Sequence, residues 1–414
     1  MKILLLTLLP ALALASFSYE GYKLYQLTLK DHLQAAIVPE LMSNPNYDFF
    51  TDKIALNHPV DIMVSPPAQE EFVQKLQASN IQYSIVNENI EKDISAERQR
   101  LQRSPKVPSG RITFTEFHRY NVILDYVDQL QQSYPDIVSV EEFGRSTEGR
   151  PLVLLRIGTG NANNPTIIMD GTIHAREWIS PAVTSYVIQE LVENPANRQL
   201  IEDINWIIVP VLNPDGYEYT FTDQRLWRKT RRIGIVCNGV DANRNFDAAW
   251  GAPGASTSEC SETFMGPYVF SEPEALALAV VAEQTANLEG YLTMHSYGNW
   301  LLFSWGFTEE PVENAAELQQ LGNAMSNAIY AVNGTRYTAG PTAELLYYAS
   351  GTSQDWFTVI GVPLSYTVEL PAGVGTGNGF IIQPERILPV SQEFWPGLVT
   401  YANHLVQRYR LKQG

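Results

Sequence analysis

Hydrophobic and polar positions change rhythm along the chain and divide it into two unequal parts. In the first, Tyr22 to Leu29, Asp61 to Val64 and Ile81 to Val86 have strand character, and Ala68 to Ala78 sets Phe72, Val73 and Leu76 on one side of a helix. This predicts a small α+β domain. From Ile90 to Arg111 the chain turns polar, with Arg98, Arg100, Arg103, Lys106 and Arg111 scattered around Pro105 and Pro108. Such a stretch reads as a protease-accessible linker, and a solvated charged helix over Glu91 to Gln102 reads equally well.

Beyond Thr113 a larger domain begins. Thr115 is placed to cap a helix whose apolar residues Tyr120, Ile123, Leu124, Val127 and Leu130 recur at helical spacing up to Pro135. Continuous apolar runs follow at Leu152 to Ile157, Thr166 to Met169, Trp206 to Leu212, Tyr291 to Met294 and Leu364 to Val368. Helical stretches such as Pro181 to Val192 and Glu272 to Ala286 alternate with them. Runs without polar alternation belong to strands covered on both faces, so the pattern predicts an α/β layer fold with a largely buried sheet.

A length of 414 residues and 45% hydrophobic content suit two to three domains with a sizeable core. Met1-Lys2, the apolar stretch Ile3 to Ala15 and the small-residue pattern Ala13-Leu14-Ala15 before Ser16 describe a secretory signal peptide. Pro10 and the short apolar length argue against a membrane span. Export gives the two cysteines, Cys237 and Cys260, the reading of one disulfide, with two buried thiols as the alternative. A loop of that size contributes about 3 kcal/mol on the chain-entropy argument. Asn333-Gly334-Thr335 is a glycosylation sequon. The net charge of −17 disfavours nucleic acid and anionic membranes as partners.

The candidate chemistry lies where apolar runs end. His174-Ala-Arg-Glu177 follows Thr166 to Met169, and a His and a Glu three residues apart can face one ion. Alone, the pair reads as well as a surface or capping contact. His295, one of six histidines, ends the run Tyr291 to Met294, 118 residues beyond Glu177. That separation is too long for a local finger and suits two strands ending at one edge of a sheet, where open α/β sheets gather ligands. A satisfied core histidine is the alternative. Further polar clusters are Arg225 to Thr230, Asp241 to Asn245, and Tyr347 with Glu369.

With these residues in order, the chain resembles the zinc metallocarboxypeptidases of the A/B type, the secreted digestive pro-enzymes. Matching stretches include Gly144-Arg145-Ser146, Asn213-Pro214-Asp215-Gly216, Gly239 to Asn245, the cysteine pair, and Ser350-Gly351 leading to Asp355-Trp356. The resemblance implies a mixed-sheet catalytic domain flanked by helices over 104–414, a pro-domain and linker over 16–103, and a signal peptide over 1–15. It implies one zinc per chain held by His174, Glu177 and His295, which would bring the pKa of a bound water to about 7. It further implies Glu369 as general base, Arg228 beside the developing oxyanion, and Asn243 with Arg244 as the clamp for the substrate's terminal carboxylate. Tyr347 matches a tyrosine that closes over the bound end, and Arg176, Tyr297 and Arg225 match residues lining the next subsite inward.

Specificity is where the chain departs from the pattern. The residue before Asp355-Trp356 is Gln354, where an aspartate accompanies basic substrates and an aliphatic residue apolar ones. A buried ammonium without a counter-ion is costly, so neutral C-terminal residues are expected, with Thr342, Thr367, Gly306 and Ala349 completing the pocket and Glu344 as a displaced acid to watch. Leu370-Pro371-Ala372-Gly373 also departs, and the loop to Gly379 looks longer. A trypsin-like cut after Arg103 or Arg111 would release an enzyme expected to act as a monomer on peptide C-termini. The alternatives are release of basic residues, a deacylase for N-acyl amino acids, and a secreted non-catalytic peptide-binding relative. Retention of Glu369 and all three ligand candidates speaks against the last.

Overall fold

The structure is a computed structural model and describes residues 17–50, 56–104, 107–346, 348–373 and 378–413. The expected signal peptide, Pro105, Lys106 and Tyr347 lie outside them, as do residues 374–377 of the loop leading to Gly379. Among the described residues no helix is long and apolar enough to cross a membrane.

The first unit is a four-stranded antiparallel sheet. Its strands are β1 (Lys23–Thr28), β2 (Tyr47–Phe49), β3 (Pro59–Val64) and β4 (Gln82–Asn87), in the order β2-β3-β1-β4. The alternation that marks β1 as a strand sends Tyr25 and Leu27 inward, against Val60 and Ile62 of β3 and Phe72 and Leu76 of the helix Gln69–Ala78. The first part of the polar stretch after β4 is a helix, Ile90–Arg103, in line with the helical reading of Glu91 to Gln102. The Asn89 side chain caps it by accepting from the Lys92 N–H, and Ile90, Ile94 and Glu97 form a buried stripe at i, i+4 and i+7. That stripe packs beside Leu226, Phe380 and Ile381 of the large domain, so the helix is not a solvated one.

The second unit is built on eight strands: β5 (Val138–Arg145), β6 (Pro151–Ile157), β7 (Thr166–Gly171), β8 (Asn205–Val209), β9 (Leu288–Ser296), β10 (Trp300–Phe303), β11 (Thr338–Pro341) and β12 (Leu364–Leu370). Their order is β11-β10-β12-β9-β7-β8-β6-β5. β12, β9, β7 and β8 run parallel in the middle, while β10 against β12, β6 against β8 and β5 against β6 are antiparallel. The sheet is therefore mixed. Ile167 and Met169 of β7 enter a core shared with helices Tyr120–Ser133, Ile179–Val192, Ala315–Asn333 and Ile387–Gln413. Ile168 faces the opposite core, with helices Pro273–Gln284 and Ser353–Val359. Two covered faces explain the unbroken apolar runs, each buried aliphatic side chain contributing about 1.5–3 kcal/mol.

Two boundaries differ from expectation. The first large-domain helix starts at Tyr120 and is not capped by Thr115. The intervening Phe117 and His118 are buried, His118 Nε2 lies 2.8 Å from the Thr113 carbonyl oxygen, and the Tyr120 N–H is capped from elsewhere in the chain, by Glu218 Oε1 at 2.9 Å. The Trp206 to Leu212 run leaves the sheet at Val209, because Pro210 cannot donate to a ladder. Cys237 and Cys260 form the expected disulfide, and Asn333 is an exposed helix-end residue followed by Gly334 in the left-handed region.

Candidate metal centre and peptide cleft

The parallel strands deliver the candidate residues to one sheet edge, at their carboxyl ends. The chain leaves β7 at Gly171 and turns through His174 and Glu177 before entering the helix Ile179–Val192. His295 lies near the end of β9, and Glu369 stands beside it in register on β12. His174 Nδ1 is 3.0 Å from His295 Nδ1 and 2.9 Å from Glu177 Oε1, and Glu177 Oε2 is 3.2 Å from His295 Nδ1. All three residues are buried, with ligand atoms mutually within 4.8 Å.

This set fits a metal ion on its own chemistry. Two imidazoles and one carboxylate converge, and two nitrogen lone pairs 3.0 Å apart need a cation or a proton between them. Both imidazoles have their outer Nε2 occupied. His174 Nε2 meets Asp241 Oδ1 at 3.0 Å, and His295 Nε2 meets Thr293 Oγ1 at 3.2 Å. Burial alone would raise the Glu177 carboxyl, but His174 and His295 outweigh it and hold it below the usual carboxylate range. Burial and Arg228 push His174 down, yet Glu177 and Asp241 raise it on balance, whereas burial leaves His295 lowered.

Asp241, quoted in the sequence only as part of a cluster, joins the metal candidates to the guanidinium groups. Its Oδ2 accepts from Arg228 Nε at 3.2 Å and Nη2 at 3.0 Å, and lies 4.0 Å from Arg244 Nη1. Arg228, His174 and Arg244 pull its carboxyl far below the usual range against the effect of burial. Its Oδ1 also accepts from the Asn243 N–H. Asn243 is held in turn by Ser353, whose N–H donates to Asn243 Oδ1 at 2.9 Å, and Arg244 Nε donates to the Gly254 carbonyl oxygen.

One recess is lined by His174, His295, Arg228, Asn243, Arg244, Gln354 and Glu369, with Thr342, Ala349 and Thr367 on its walls. Gln354 is almost fully buried, and its carboxamide makes long contacts of 3.3–3.4 Å with Thr342 Oγ1 and Ser304 Oγ. Glu369 is the one carboxylate among the described lining residues. Gly306 is not in that lining but backs it, donating its N–H to Asp355 Oδ2 at 2.8 Å. Burial pushes the Asp355 carboxyl up to about 6. Glu344, the acid to watch, faces solvent.

Arg176, Arg225 and Tyr297 lie apart from that recess, and each is occupied by a carboxylate of the first unit. Arg176 Nη1 donates to Asp48 Oδ2 at 2.7 Å, with its guanidinium over the Phe50 and Phe380 rings. Arg225 grips Glu97 through Nε at 2.5 Å and Nη2 at 3.3 Å, and stacks on Trp178. Tyr297 Oη donates to Asp61 Oδ2 at 3.1 Å. Sequence reasoning missed all three partners. Asp48, Asp61 and Glu97 carry no local signal, and only the 128-residue separation closed by folding pairs Glu97 with Arg225.

Comparison with known proteins identifies the family. The family described as Zinc carboxypeptidase matches residues 123–397, and that described as Carboxypeptidase activation peptide matches residues 25–97. Carboxypeptidase B of Helicoverpa zea is 37% identical, over 99% of this chain and 100% of its own. Carboxypeptidase A1 of Bos taurus is 33% identical, over 97% and 98%. The crystal structure of carboxypeptidase A from Helicoverpa armigera superposes with a TM-score of 0.90 at 34% identity, covering 94% of this chain and 98% of that one. The chain belongs to the zinc carboxypeptidase family and is a metallocarboxypeptidase made with an activation peptide.

Proposed function

We propose that the protein is a secreted exopeptidase, monomeric and with one zinc per chain, that removes neutral residues from peptide C-termini. The observation that carries this reading is a recess in which His174 and His295 of the His174, Glu177 and His295 cluster meet two guanidinium groups, Glu369 and a buried carboxamide. Bound by the three ligands, zinc supplies a Lewis acid for the scissile carbonyl and makes water a stronger acid. Arg244 and Asn243 bind the terminal carboxylate, which restricts attack to the last peptide bond. Arg228, braced by Asp241, stabilises negative charge on the carbonyl oxygen in the transition state. Glu369 takes the proton from water and returns it to the leaving amine. Tyr347 closes over the bound terminus.

Gln354 sets the preference. It offers hydrogen bonds and no charge, so a lysine or arginine side chain would enter without a counter-ion. Release of basic residues is the second reading, favoured by the name carboxypeptidase B carried by two similar proteins, from Helicoverpa zea and Astacus astacus. Blocked dipeptides differing only in the last residue, assayed on trypsin-treated protein, separate the two. Strong preference for Lys or Arg would overturn the neutral reading.

The activation segment, residues 16–103, keeps the enzyme latent by covering Arg176, Arg225 and Tyr297, which line the next subsite inward. Activation is a trypsin-like cut after Arg103, exposed at the end of its helix. Arg111 is a poorer site, because Ile112 and Phe114 just beyond it pack against the core. Amino-terminal sequencing of the active form should begin at residue 104, and a start at residue 17 would end the zymogen account.

A further inference from the structure

Asp170 is wholly buried on β7, and its sequence signal is a carboxylate closing the apolar run Thr166 to Met169. Its hydrogen-bond donors among the described residues are two hydroxyls of the neighbouring strand. Tyr291 Oη donates to Oδ2 at 2.5 Å, and Thr293 Oγ1 donates to Oδ1 at 3.0 Å. Tyr291, Thr293 and His295 share one face of β9 because side chains alternate along a strand, and Asp170 pairs in register with Thr293 across the parallel ladder. Thr293 Oγ1 in turn lies 3.2 Å from His295 Nε2.

A hydroxyl has one proton to give. An ionised Asp170 can only accept, so the Thr293 proton points to Asp170 and its oxygen lone pair faces the imidazole. His295 Nε2 must then carry a hydrogen, which leaves the lone pair on Nδ1, the atom facing His174 Nδ1 and Glu177 Oε2. His174 reaches the same state directly through Asp241. We propose that Thr293 and Asp170 are positioning residues that fix the orientation and tautomer of His295 for metal binding. The proposal rests on the reading of His174, Glu177 and His295 as the zinc ligands. Outer partners of this kind typically affect metal affinity 10- to 100-fold.

Zinc affinity of the purified full-length chain, measured by competition with a chromophoric chelator, tests it. Burial pushes the Asp170 carboxyl up to about 7, so the titration is run at pH 8, where the acceptor-only form prevails. Two substitution pairs isolate the hydroxyl in two packing backgrounds: Thr against Thr293→Val, and Thr293→Ser against Thr293→Ala. Each hydroxyl-free variant should bind zinc about tenfold or more weakly than its partner, with Thr293→Ser close to the wild type. The visible spectrum of the cobalt-loaded protein should shift with loss of the hydroxyl and return with Thr293→Ser, whereas a purely structural role would leave it unmoved. Equal zinc affinity within both pairs overturns the proposal. A wild-type chain that binds no zinc would instead sink the ligand assignment and this proposal with it.

Discussion

Replacing Glu97 with glutamine should loosen the activation segment without touching the enzyme it covers. Glu97 and Arg225 are 2% and 1% exposed, and the carboxylate takes two hydrogen bonds from the guanidinium. Removing one member of such a buried pair costs about 3–5 kcal/mol. Arg225 keeps the Arg176 and Phe380 carbonyl oxygens and its stack on Trp178, so the low end applies, about 3 kcal/mol. At a factor of ten per 1.4 kcal/mol this weakens docking of the cleaved segment about a hundredfold. The assay uses protein cut in the linker with the segment still bound, and follows recovery of peptide hydrolysis on dilution. Recovery should begin at about a hundredfold higher protein concentration for Glu97→Gln, while the fully activated enzyme, which lacks residue 97, behaves identically. Superimposable dilution curves would refute the argument that this ion pair holds the segment in place.

Glu369→Gln should retain zinc while turnover falls about 10²- to 10⁴-fold, as loss of a general base requires; metal analysis beside steady-state kinetics checks this, and near-normal turnover removes the assigned mechanism. Gln354→Asp supplies the missing counter-ion, so the ratio of kcat/KM for Lys over Leu C-termini should rise at least tenfold, and an unchanged ratio would place the specificity determinant elsewhere. Glu274 is fully buried, and burial, with Glu272 and Asp215 nearby, raises its carboxyl from 4.5 to about 8 against the partial relief of its own and the Thr147 backbone N–H groups. Its stabilising contribution is thus present below pH 4.5 and is lost as pH rises towards 8, because the folded chain must hold a proton that the unfolded chain releases. Glu274→Gln should flatten this, gaining stability over the wild type by a few kcal/mol between pH 5 and pH 8 in urea denaturation; parallel profiles would contradict it.

The central strands were legible because burial on both faces writes unbroken apolar runs, as at Leu364 to Val368. The edge strands were not. β11 is four residues long with the sequence Thr-Ala-Gly-Pro, and β5 mixes buried Val138 with exposed Glu141 and Glu142, so neither carries a run that stands out from a loop. The polar helix Ile90–Arg103 was legible as a helix but not as a buried one, since its buried stripe includes Glu97, a residue that belongs inside only because Arg225 waits there. Within the site, His174, Glu177 and His295 could be named because their residue types and strand-end positions are local properties. Asp241 meets His174, and Asp170 and Thr293 form a chain of contacts to His295, neighbours that only folding brings together, the second when β7 and β9 lie side by side.

The central claim is that two imidazoles and one carboxylate, far apart along the chain, hold a single zinc ion. X-ray absorption at the zinc edge, on protein loaded with one equivalent, addresses it most directly. The account requires two imidazole nitrogens at about 2.0–2.1 Å with oxygen completing the shell. A sulfur ligand, a third imidazole, or a spectrum unchanged by His295→Ala would contradict it.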